Sequence, residues 1–256
     1  MRPFSTCAVV CAMAFAAGSA RADILQISES AFQASAGLIT FSEYPVNTMN
    51  PVYGPAKYGG GASSPTVTFG GYFKGQAIGT PATCPAGAAI TGCVVGSPTG
   101  PLALDPKSPA TFITTDVSTP TSPVLSGSPL YNGPVAIEFS TPQVGVGLTG
   151  GYFNAVGSTA ITAFDAHGNV IGAVKNSETG IEFLGLVTAD GSADISGLLF
   201  SLVGDEPAGF VVDNIRFGEQ GQVTVPGQPT VTPEPSTLLL LGTGLLGTAF
   251  MVRRTV

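Results

Sequence analysis

Two carboxylates stand where an alternating strand pattern calls for apolar side chains. Ile39, Phe41 and Glu43 fall on one face of an expected strand, and Val211, Asp213, Ile215 and Phe217 on one face of another. A carboxylate in a core-facing row must gain a cation or several hydrogen bonds, because unpaired burial is costly. If the first and last strands of the domain are neighbours, Glu43 and Asp213 converge. Oxygen-rich, sulfur-free ligation of that kind suits Ca²⁺, with backbone carbonyls completing roughly six to eight ligands. The alternative places both residues at strand ends, exposed or bonded to backbone amides.

Other residues offer chemistry of different kinds. Cys84 and Cys93 flank a short loop with too few ligands for zinc, and their spacing is not Cys-x-x-Cys. In an oxidising compartment such a pair is expected as a disulfide, contributing at most about 2–3 kcal/mol. There is no Trp, but Tyr44, Tyr53 and Tyr58 share an early Pro/Gly-rich segment and could form a stacking surface for sugar rings. They could equally pack that segment onto the domain. Glu138 and Glu182 are a conceivable pair for glycoside hydrolysis, yet each alternates with apolar neighbours and reads as an outward, solvated position. His167 is the sole histidine and sits in a turn, with no Gly-x-Ser-x-Gly elbow to accompany it. Catalysis has little to stand on, and the chain is expected not to be an enzyme. Asp190-Gly-Ser-Ala-Asp194 and Asp205-Glu206 read as solvated turns.

The two ends are different in kind from the middle. Residues 1–22 run from Arg2 through an apolar stretch to Ala20-Arg21-Ala22, the order of a secretory signal helix cleaved after Ala22. Residues 219–232 read as a polar linker. Residues 233–256 begin Pro233-Glu234-Pro235-Ser236, continue as sixteen apolar or small residues from Thr237 to Val252, and end in Arg253-Arg254-Thr255-Val256. As a helix that apolar run is about 24 Å long, sufficient to sit in a bilayer whose flanks adjust. The arginines should remain cytoplasmic, placing the domain outside that membrane.

That tripartite end resembles the PEP-CTERM sorting signal. The resemblance implies recognition by exosortase, a membrane transpeptidase, with removal of the tail near Pro-Glu-Pro. It also implies a Gram-negative, exopolysaccharide-producing source, with the chain held in the inner membrane by its apolar helix before processing.

Between the ends, residues 23–218 read as a single domain. Gly (35) and Pro (21) punctuate the chain into short pieces and weigh against long helices, while runs of Val, Ile, Phe and Thr favour strands. Strands are expected over 37–43, 66–73, 134–140, 143–150, 158–165, 169–174, 180–187, 194–202 and 210–217. Asp165 to Asn169 reads as a hairpin turn with Gly168 and Asn169 suited to positive φ. This pattern gives an all-β fold, an antiparallel β-sandwich, with 44–65 and 75–133 as long Pro/Gly-rich loops. Gly-Gly-Tyr-Phe occurs at both 70–73 and 150–153, which a pair of equivalent strands in two sheets would explain.

Residues 145–217, through Gly150-Gly-Tyr-Phe-Asn154, Ala163-Phe-Asp-Ala-His-Gly-Asn-Val-Ile-Gly172, Phe183-Leu-Gly185 and Phe210-Val-Val-Asp-Asn-Ile-Arg-Phe217, resemble jelly-roll domains of PEP-CTERM proteins and carbohydrate-binding modules. In similar modules an early acidic residue and a late Asp bind structural calcium, which implies the same for Glu43 and Asp213.

The formal net charge is −7, but the basic residues crowd the ends. Between Asp23 and Glu234 lie all 16 acidic residues against only Lys57, Lys74, Lys107, Lys175 and Arg216. Nucleic acid is therefore excluded as a partner, since its phosphates require clustered cations. The expected function is that of an exported, non-enzymatic surface or matrix protein associated with exopolysaccharide. The alternatives are a calcium-dependent carbohydrate-binding module and, more remotely, a glycan hydrolase.

Overall fold

The computed structural model describes residues 23–116, 122–207 and 210–228. Both terminal segments, with the signal residues Ala20 and Ala22 and the motif residues Pro233, Glu234, Pro235, Arg253 and Arg254, lie outside the described residues. Among the described residues no helix is long and apolar enough to cross a membrane.

The described chain is an antiparallel β-sandwich. One sheet runs β1 (Ile24–Gln26), β13 (Gly180–Thr188), β10 (Gly145–Phe153), β15 (Val211–Gly218), β8 (Pro123–Gly127), β7 (Thr111–Thr115), with β2 (Gly37–Ile39) pairing further along β15. The other runs β12 (Val170–Lys175), β11 (Thr159–Phe164), β14 (Ile195–Leu202), β9 (Val135–Gln143), β4 (Val67–Gly70), β3 (Val52–Tyr53). A separate small hairpin pairs β5 (Gln76–Ile78) with β6 (Val94–Gly96). From β8 onward the chain repeatedly changes sheet, and β9 passes to β10 through Val144 alone. This connectivity fits a jelly-roll.

Alternation explains the core. Ile137 and Phe139, Val146 and Leu148, Leu184 and Leu186, Leu198 and Phe200, and Ile215 and Phe217 are all buried in one cluster between the sheets. Each is spaced by two, so each pair projects to the same face of its strand. Burial of such rows, at about 25 cal/mol per Å² of apolar surface, is the main force holding two sheets together. β14 is buried along its whole length. Its second face is covered because Phe73, Leu102 and Phe164 pack with Leu199 in a satellite cluster. Gly197 permits this cover: a Cβ there would stand 2.6 Å from Leu102 Cδ2 and 2.7 Å from Phe73 Cζ.

Every segment expected as a strand contains one. The segments expected as loops also contain β3, β5, β6, β7 and β8, and β1 precedes them. These are two to five residues long, too brief to display a period. The two Gly-Gly-Tyr-Phe copies lie at the ends of β4 and β10, in different sheets, with Phe73 and Phe153 both buried.

One boundary moves. Residues 219–228, expected as linker, pack onto the sandwich. Val223 is buried with Ile27, Phe32, Val144 and Val187. Thr224 N–H donates to Ala31 O at 2.9 Å and Gln33 N–H to Gln222 O at 2.8 Å. Val223 and Val225 supply apolar surface that the polar composition of the segment conceals.

Candidate functional site

The acidic corner forms at β15. Strict alternation would place Asp213 in a row with Ile215 and Phe217, but the pairing of β15 with β10 slips: Gly147 faces Arg216, while Thr149 faces Asp213. Asn214 adopts left-handed backbone (φ 45°), making a bulge. The core row is therefore Phe210, Val212, Ile215 and Phe217, and Asp213 leaves it, half-buried. Its carboxylate accepts Asn214 N–H at 2.7 Å and the Asn214 amide at 3.3 Å.

Burial pushes the Asp213 carboxyl above its ordinary range. The Asn214 backbone bond opposes this, and the charges of Asp116, Glu43 and Glu29 add to it. Glu43 is thus within electrostatic reach of Asp213. β2 ends at Ile39 and Phe41 takes φ 61°, so Glu43 sits on a turn rather than a strand. Its Oε1 accepts Thr40 N–H (3.2 Å) and Thr40 Oγ1–H (3.0 Å). Its Oε2 is buried and has no partner among the described residues; the same holds for the Tyr53 hydroxyl. Burial, then the charges of Glu43 and Tyr44, raise the Tyr53 phenol strongly. A buried carboxylate oxygen without a donor, as at Glu43, is the kind of group a hard cation takes. Among the described residues no three or more Asp, Glu, His or Cys have metal-holding geometry, so carbonyls or water would have to supply the rest.

The three tyrosines do not form one surface. Tyr53 is fully buried, edge-on to Phe41, Tyr44 and Phe69; it is a core residue and presents no face to a sugar. Tyr44 meets it edge-on with ring centroids 5.0 Å apart, donates its hydroxyl to Val52 O and carries Lys57 Nζ over its ring at 4.4 Å. Tyr58 lies elsewhere, edge-on to Phe217 at 5.1 Å, its hydroxyl donating to Pro65 O. Burial pushes its phenol up to about 12, against a lowering bond from Ser64 and with a further rise from Glu219.

Tyr58 opens onto a polar cleft of about 390 Å³ between the 34–38 turn, the 58–65 loop and the end of β15. Arg216 and Glu219 line it, together with Ser63, Ser64 and Gln222, and Gln143 forms part of its lining from the end of β9. Gln143 is fully buried. Its amide nitrogen donates to Thr141 O (2.8 Å) and Pro142 O (3.2 Å). Those two carbonyls fix the amide's orientation, since the reverse would set oxygen against oxygen. Its Oε1 is consequently left without a donor among the described residues. Arg216 meets Glu29 through Nε at 3.2 Å. The lone Arg between Ile215 and Phe217 is a readable signal for this place; Gln143 offers none beyond polarity.

The remaining residues are accounted for locally. Cys84 and Cys93 are joined, with Cα atoms 6.0 Å apart, beside the β5–β6 hairpin. Glu138 and Glu182 lie on different sheets. Glu138 accepts Leu104 N–H; Glu182 accepts the Ser177 and Glu178 amides and the Ser177 hydroxyl. Glu182 lies at the start of β13, on the row of Leu184 and Leu186, where its hydrogen bonds remain exposed. His167 N–H donates to Asp165 Oδ1 in the β11–β12 turn, where Gly168, but not Asn169, has positive φ. Ser192 Oγ links Asp190 and Asp194 in an exposed turn.

Glu206 overturns its reading as a solvated turn. It is fully buried, accepting Asn154 N–H and Ser158 Oγ–H, each at 2.8 Å, and the Asn154 side-chain amide. It ties the 205–207 segment to the end of β10 and the approach to β11. The flanking Pro207 and Asp205 disguise it.

Beyond the sandwich, the chain carries a known transport label. The PEP-CTERM protein-sorting motif matches residues 231–254. Among curated proteins none matches the chain. The motif supports an exported protein processed by exosortase, and implies anchoring in the membrane before that processing.

Proposed function

We propose that the chain is a non-enzymatic surface or matrix protein of a Gram-negative bacterium, its sandwich released or displayed by exosortase and associated with exopolysaccharide. The match of the sorting motif to residues 231–254 carries this reading. The acidic excess of the domain, which disfavours nucleic acid, supports it. Deleting exosortase in the native host tests it. The chain should then accumulate in the inner membrane with its tail intact and disappear from the surface and matrix fractions. Unchanged surface display in the deletion strain would refute the reading.

A second reading adds calcium to a carbohydrate-binding role. The observation in its favour is the buried Glu43 Oε2, without a partner among the described residues, with Asp213 within electrostatic reach of the Glu43 charge. Ca²⁺ should raise the melting midpoint of the chain and EDTA should lower it. Identical midpoints in both would dispose of the metal.

A further inference from the structure

We propose that the cleft bounded by Gln143, Arg216 and Tyr58 is a subsite for a neutral saccharide, resting on the exopolysaccharide association proposed above and giving it an address. The lining includes an acceptor for which the described residues supply no donor. Gln143 is held by two backbone carbonyls through its nitrogen, leaving Oε1 buried and without a donor among the described residues. A stranded acceptor of this kind costs about 1–3 kcal/mol unless a donor reaches it. A ligand hydroxyl is such a donor, once the lining yields enough to seat it.

The walls supply the complementary groups. Arg216 spends Nε on Glu29, and its terminal nitrogens form a planar donor fork suited to adjacent oxygens. Ser63 and Ser64 bring hydroxyls that donate or accept. Tyr58, braced edge-on by Phe217, provides the apolar surface on which the C–H face of a sugar rests. Gly59, Gly60 and Gly61 carry no side chains to close the mouth.

Charge selects a neutral ligand over an anionic one. The cleft holds one cation among its described lining, Arg216, already paired with Glu29, and a carboxylate, Glu219, on its wall. An acidic polysaccharide would meet repulsion here and from the net-negative domain around it.

Affinity electrophoresis of the full chain tests the assignment, using gels containing dextran, galactomannan or a mixed-linkage β-glucan, with alginate as the acidic comparison and the native host's extracted matrix polysaccharide in a further gel. At least one neutral polymer should retard the chain and alginate should not. Gln143→Met and Arg216→Met should each weaken that retardation about tenfold, while Tyr44→Ala, outside the cleft, leaves it unchanged. Melting midpoints confirm that each variant is folded. Gln143→Met should not lower the midpoint greatly, because it removes the stranded oxygen along with two bonds. Retardation indifferent to both cleft variants would overturn the cleft while leaving polysaccharide association standing. Retardation by alginate alone would overturn the neutral assignment. No retardation in any gel, the host polysaccharide included, would overturn both.

Discussion

Glu206 shows how much one side chain can hold. It is a buried carboxylate whose acceptors are met by Asn154 and Ser158. Glu206→Ala leaves a backbone N–H and a hydroxyl stranded, and should cost about 2–4 kcal/mol, read as a lowered denaturant midpoint with an unchanged slope. Asp213 behaves in the opposite sense. Its folded-state value lies above the ordinary carboxylate value of about 3.9, so the native state holds the proton more tightly than the unfolded chain. Stability is then greatest below the unfolded value and declines as pH rises through the folded one. Asp213→Asn should therefore raise the melting midpoint at pH 7, with the gain vanishing near pH 3. An equal gain at both pH values would show that charge is not the cause. Neither behaviour is legible locally: Glu206 looks solvated beside Pro207, and Asp213 looks core-facing until Asn214 makes the bulge.

At the scale of elements, long strands announce themselves and short ones do not. The expected segments 180–187 and 194–202 agree with β13 and β14 to within a residue at each end, because their apolar rows are long enough to show a period. β3 and β5 have two and three residues, and their pairing comes from neighbours distant in sequence. The segment 75–133 reads as loop for its Gly and Pro, yet it builds β5 to β8 and brings Leu102 onto the second face of β14. Gly197 is where that cover can be tested. Gly197→Ala forces a methyl against Leu102 and Phe73, and should cost about 1–3 kcal/mol, measured by chemical denaturation. A neutral result would mean that the cover is loose.

For the whole molecule, composition and ends are informative where site chemistry is not. The Gly/Pro punctuation and β-branched runs point to a sandwich, and the described residues form one. The tail points to sorting, and the PEP-CTERM motif matches it. The tyrosine surface fails as a unit because spacing in sequence carries no depth: Tyr53 goes to the core and Tyr58 to the cleft. The cleft itself joins residues from four parts of the chain, a juxtaposition only the fold creates.

We propose that both termini are delivery labels, removed before the sandwich reaches its place of work. Intact-mass spectrometry of the protein purified from the surface and matrix fractions of its native host reads this in one measurement. The predicted result is a chain that begins at Asp23, ends near Pro233–Pro235 and is two hydrogens lighter for the Cys84–Cys93 bond. An unprocessed chain of 256 residues, found in the cytosol with both thiols free, would contradict it.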